Sequence, residues 1–211
     1  MKNILIIVTC FLFFKVSGQD TKANFDGKKW EAPYTLDTPK GWDVERFLIP
    51  IGFAPTIPYK GVEDIRFTPG WAKKETDEYW SYAFLWYLDD TPKFDSKILE
   101  KNLTVYYTGL FNINTDKSKI DTTKLIQVTA TIEKRSSDNG DSKTFQGTVT
   151  MNDYMTKKPI TINLIIHIKS CEGQKKTFVF YEISPKPYTN TVWTSLHQLW
   201  IDFKCMKNQI P

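Results

Sequence analysis

The sequence predicts an α+β fold: a twisted antiparallel β-sheet of about seven strands, in the order βββ-α-ββββ-α, packed against two helices. Three observations carry this expectation. Between residues 79 and 88, Trp80, Tyr82, Phe84, Trp86 and Leu88 alternate with Tyr79, Ala83, Leu85 and Tyr87. That is the period of a strand covered on both faces. Leu99, Leu103, Tyr106 and Leu110 recur at helical spacing behind Asp95, a good N-cap residue. The turn signals Asp138-Asn139-Gly140 and Glu172-Gly173 separate runs rich in Thr, Ile, Val and Phe, as hairpins require.

In chain order, the first 18 residues read as a secretory signal peptide. Lys2 supplies the positive start, residues 4–14 the apolar stretch, and Val16 and Gly18 the small residues before a cleavage point. The apolar run is too short to span a bilayer, so no transmembrane segment is expected after signal cleavage. A lipoprotein anchored at Cys10 is the weaker reading, because Thr9 fits poorly ahead of a lipidated cysteine and Cys10 sits mid-run. Residues 19–43 read as an irregular N-terminal segment broken by Pro33 and Pro39. Residues 44–211 read as a single domain. Strands are expected at 44–49, ending at Pro50, at 62–67, ending at Pro69-Gly70, and at 79–88. A helix then runs from Asp95 to about Leu110. Four more strands follow, at 125–135, 144–151, 159–170 and 176–183, and a last helix over 191–204.

The chain of 211 residues has a formal charge of +4, but that sum is uneven. Residues 30–90 carry six basic and eleven acidic side chains, a net −5, together with five of the seven tryptophans. The remainder is basic and rich in Thr and Lys. Aromatic residues concentrated in an acidic region argue against nucleic acid as a partner. Trp71, Trp80, Tyr82 and Trp86 near carboxylates instead suggest a surface for a sugar or an organic cation, although strand alternation also predicts that most of them are core.

No nucleophile elbow, Walker loop, dinucleotide fingerprint, metalloprotease or EF-hand motif occurs. Cys171 and Cys205 form an even pair after signal removal, and either one disulfide or two buried thiols fits them. Two cysteines and two histidines lack the spacing of a zinc site, so neither metal nor other cofactor is expected. His197 reads as a helix-surface residue. His167 reads as a packed or surface strand residue. Glu45 and Glu63 head two similar phrases, Glu45-x-Phe47-x-Ile49 and Glu63-x-Ile65-x-Phe67. On neighbouring strands they could form a carboxylate acid–base pair, with Tyr82 or His167 assisting. Asp64 and Arg66 fall on the opposite face, solvated or ion-paired.

The expected function is therefore an exported, non-catalytic binding or interaction domain whose partner is a small molecule, a glycan or a protein. A hydrolase-like enzyme using Glu45 and Glu63 and a structural envelope protein are the alternatives. The phrases Gly41-Trp42-Asp43-Val44-Glu45-Arg46-Phe47, Phe53-Ala54-Pro55, Tyr59-Lys60-Gly61-Val62-Glu63, Phe67-Thr68-Pro69-Gly70 and Tyr79-Trp80-Ser81-Tyr82 resemble an uncharacterised family of exported bacterial proteins. That resemblance implies a location and no catalytic residues. By element order alone, the chain also resembles the PsbP- and Mog1-like α/β sandwich.

Overall fold

A computed structural model describes residues 25–137, 139–171 and 175–206. The expected signal peptide, Cys10, Asp138 and the Glu172-Gly173 turn lie outside the described residues. Seven strands form one antiparallel sheet: β2 (Asp43–Ile49), β3 (Gly61–Phe67), β4 (Tyr82–Leu88), β5 (Thr129–Arg135), β6 (Lys143–Asn152), β7 (Pro159–Ser170) and β8 (Thr177–Ser184). Their spatial order is β2-β3-β4-β8-β7-β6-β5. Two meanders, one on each side of the long helix in sequence, thus meet at the central β4–β8 pair, where Phe84 faces Tyr181 and Trp86 faces Val179. A separate two-stranded ribbon pairs β1 (Tyr34–Thr35) with β9 (Lys204–Cys205).

The helices α1 (Ser96–Ile113) and α2 (Val192–Ile201) cover opposite faces of the sheet. Helix α1 begins where the sequence places it: the Asp95 carboxylate accepts from the Ile98 backbone N–H at 2.8 Å, satisfying one of the free donors of the first turn. Its Leu99, Leu103, Tyr106 and Tyr107 are buried against Phe84, Trp86, Val149, Leu164 and Tyr181. Gly109 lets this helix lie close to the preceding loop, since a Cβ there would meet the Phe53 carbonyl oxygen at 1.9 Å. On the other face, Leu196, Leu199 and Trp200 of α2 pack on Leu85, Phe178 and Phe180.

The structure corrects three expectations. The strand expected from Tyr79 starts only at Tyr82, because Trp80 has φ +55° and lies in a compact turn where its backbone N–H donates to the Trp71 carbonyl at 2.8 Å. The strand expected from Leu125 starts at Thr129, preceded by a short 3-10 turn over Thr122–Lys124 capped by Asp121. The helix expected over 191–204 stops at Ile201, and Lys204–Cys205 form β9 instead. The N-terminal segment, irregular as expected apart from β1, is docked. Arg66, only 2% exposed, donates from Nη2 to the Leu36 carbonyl at 2.9 Å and from Nε to the Asp37 carbonyl at 3.0 Å. Arg66 Nη1 also pairs with the buried Asp64, which accepts from Arg46 Nε at 2.9 Å and from the Tyr34 hydroxyl at 3.1 Å. Asp64 and Arg66 are therefore an interior ion pair holding the N-terminal segment, not a solvated one. Cys171 and Cys205 are joined, with Cα atoms 5.9 Å apart, which ties β9 and its partner β1 to the end of β7.

Candidate functional site

Strands β2 and β3 pair so that Phe47 faces Glu63 and Glu45 faces Ile65. Glu45 and Glu63 therefore share the α1 face on adjacent rungs, as their matching phrases suggest, but their surroundings differ. Glu63 is completely buried. Its Oε1 accepts from the Tyr106 hydroxyl at 2.7 Å and its Oε2 from Trp86 Nε1 at 2.9 Å. Burial raises its pKa from the usual carboxylate value to about 7, against the lowering effect of the Tyr106 and Trp86 hydrogen bonds. Glu45 stands on the exposed edge strand, and partial burial with Asp43 nearby raises its pKa as well.

A cavity of about 470 Å³ opens beside this pair, between β2–β4, the 51–53 loop, the 71–80 turn and the C-terminal end of α1. Ile65, Phe67, Trp80, Tyr82 and Tyr106 make its floor, and Phe53, Trp71, Leu110 and Tyr154 its walls. Glu45, Phe47, Ile113 and Asn114 lie at its exposed margin. Glu45 is the one charged side chain of this lining, which holds no lysine or arginine. Such a volume and such walls suit a small, largely apolar ligand oriented by a single polar contact.

Of the aromatic residues expected to bind, Trp71, Trp80 and Tyr82 line this cavity, Trp71 partly exposed and the other two as buried floor. Trp86 does not. It is fully buried and spent on Glu63, so its expected binding role is corrected to a structural one. Tyr82 is similarly committed, its hydroxyl 2.8 Å from that of Tyr107. Glu63 is absent from the cavity lining and both of its oxygens are engaged, so no open carboxylate pair faces a substrate here. His167 cannot assist that pair, because it projects from the other face of the sheet, toward α2. No family model, no curated protein and no solved structure matches this chain.

The α2 face holds a second cluster that the sequence did not reveal. His167 on β7 places Nδ1 2.6 Å from Asp141 and Nε2 3.0 Å from Glu182 on β8. His197 on α2 places Nδ1 2.8 Å from the same Glu182 oxygen. Asp141 also accepts from Trp200 Nε1 and the Thr144 hydroxyl, each at 2.9 Å. Burial pulls the His167 pKa down, but the hydrogen bonds to Asp141 and Glu182 outweigh it and leave the value raised. The ligand-type atoms of His167, Glu182 and His197 all lie within 4.8 Å of one another. His167, packed in the sheet as one of its expected readings had it, and the partly exposed His197 of α2 thus join one polar cluster around Glu182, which the sequence reading did not foresee. The clue available in sequence was the hairpin around 172–173, which puts His167 and Glu182 on one sheet face.

Proposed function

We propose that this chain is an exported binding domain whose aromatic cavity takes a small, largely apolar molecule carrying a basic group, such as an arylalkylamine. The observation that carries this reading is the lining itself: twelve aromatic or aliphatic side chains around a cavity of drug-like volume, with Glu45 as its one charge. A protonated amine gains the Glu45 carboxylate and the faces of Trp71 and Phe47 at once, whereas an anion meets the Glu45 charge with no lysine or arginine in the lining to offset it. A glycan is less well served, because few polar groups face the cavity to replace the water a sugar gives up. Export is supported by the leader-like first 18 residues and by the bonded Cys171–Cys205 pair. Among the described residues, no helix is long and apolar enough to cross a membrane.

The two-carboxylate hydrolase is not taken up. Acid–base work needs both carboxyl groups within reach of substrate and water, about 5–10 Å apart across an open cleft. Glu63 is sealed behind Tyr106 and Trp86. A thermal-shift screen of amines, alcohols, carboxylates and oligosaccharides tests the binding reading, since a ligand of the native state raises its melting point. Hits concentrated among aromatic amines support it. Hits confined to saccharides or carboxylates contradict it.

A further inference from the structure

The cluster under α2 has an arrangement that hydrogen bonding among its own members does not complete. Asp141, its side chain fully buried, receives hydrogen bonds from Trp200 and Thr144 and faces His167 Nδ1 at 2.6 Å, while the buried Glu182 faces Nε2 at 3.0 Å. A neutral His167 has a single ring N–H and can donate to only one of these two carboxylates. The second Glu182 oxygen, Oε2, is buried with no hydrogen-bond partner, although the residue is 0% exposed. Two buried carboxylates flanking one imidazole need positive charge between them. A proton on His167 supplies one unit. A divalent cation supplies two, and engages the unpartnered oxygen as well.

We propose that His167, Glu182 and His197 form a binding site for a single divalent transition-metal ion of the zinc type. Two imidazoles and one carboxylate are a donor set for zinc and its neighbours, and an unsuitable one for calcium or magnesium, which prefer oxygen. The three donor atoms already lie within 4.8 Å of each other, and a tetrahedral ion at about 2.0–2.1 Å from each needs them only slightly rearranged. Asp141 acts as a positioning residue, holding the His167 ring through its distal nitrogen, in the way carboxylates orient metal-bound histidines. A cavity of about 280 Å³, lined by these three residues together with Arg135, Thr144 and Trp193, reaches the cluster. Three protein ligands beside such a cavity leave a fourth position for water or a small anion, which Arg135 at the cavity would favour.

The test is titration of the chelator-stripped protein with Zn²⁺ by calorimetry and with Co²⁺ by its visible absorption, for wild type, His197→Ala and Asp141→Asn. His197 is the first choice because its side chain, 36% exposed, is the least buried of the three. Its fold is checked by circular dichroism, and His197→Gln replaces it should the alanine variant not fold. The expected result is one ion per chain with low-symmetry Co²⁺ bands. Affinity should fall tenfold or more in the His197 variant and about 10–100-fold in Asp141→Asn. Absence of stoichiometric binding, or binding that the His197 substitution weakens less than tenfold, overturns the proposal.

Discussion

The Tyr106 hydroxyl of α1 donates to Glu63 Oε1 of β3 at 2.7 Å, across the interface between helix and sheet. This contact closes the carboxylate off from the neighbouring cavity and leaves the cavity itself with aromatic walls and the single charge of Glu45. It also makes Glu63 a buried acid whose protonation is coupled to folding.

That coupling has a definite sign. The folded-state pKa of Glu63, about 7, lies above its ordinary value, so between roughly pH 4.5 and 7 the native state holds a proton that the unfolded chain has released. The associated stability is fully present below about pH 4.5 and is lost as pH rises through 7, by on the order of 3 kcal/mol. Denaturation of wild type and Glu63→Gln across pH 4–9 checks this. The difference between the two curves should slope through that window and flatten above it, and a flat difference throughout is inconsistent with a raised Glu63.

Gly109→Ala reverses the usual expectation for a helix. Propensity alone favours alanine by about 1 kcal/mol. Here the added methyl would meet the Phe53 carbonyl oxygen at 1.9 Å, backbone that cannot swing away like a side chain. A net loss of about 1–3 kcal/mol in chemical denaturation is expected, with weaker ligand binding because the Phe53 wall shifts.

Arg66→Ala should cost about 3–5 kcal/mol, since it removes the partner of a buried carboxylate and both carbonyl contacts to residues 36 and 37. The double variant Asp64→Asn/Arg66→Met should lose less than the sum of its single changes, because the uncompensated charge is gone. Additive losses in urea denaturation would show that the pair is not coupled.

Cys171 and Cys205 are 34 residues apart, and removing their link should cost about 3–4 kcal/mol by loop entropy. Intact-mass measurement should show a gain of two hydrogen atoms on reduction. Hydrogen exchange in Cys205→Ser should speed up first around Tyr34 and Thr35, which pair with Cys205 and Lys204, before it does so in β4 or β8.

Much of this fold was legible in the sequence, and for identifiable reasons. The caps, the alternation of the central strand and the proline stops act locally, so Asp95, residues 82–88 and Pro50 mark the boundaries they should. The turn at Trp80 was hidden, because its alternation with Tyr82 and Phe84 continues a strand pattern that a positive φ interrupts. The cavity was half-visible. Trp71, Trp80, Tyr82 and Glu45 were recognisable, while Phe53, Tyr106 and Tyr154 arrive from a loop, a helix and a distant turn. Of the His167, Glu182 and His197 cluster only the shared face of His167 and Glu182 was legible, since its members come from β7, β8 and α2 and are spaced unlike any metal motif. Tertiary structure alone brings them together.

The most direct test of the cavity's role is calorimetric titration with three matched probes: an arylalkylamine, its uncharged alcohol and its carboxylate, against wild type, Trp71→Ala and Glu45→Gln. The amine is expected to bind at least tenfold more tightly than either analogue. Glu45→Gln should erase that preference, and Trp71→Ala should weaken all binding by about tenfold. Equal or tighter binding of the carboxylate, or amine binding indifferent to both substitutions, would contradict the assignment of this cavity as a site for basic aromatic ligands.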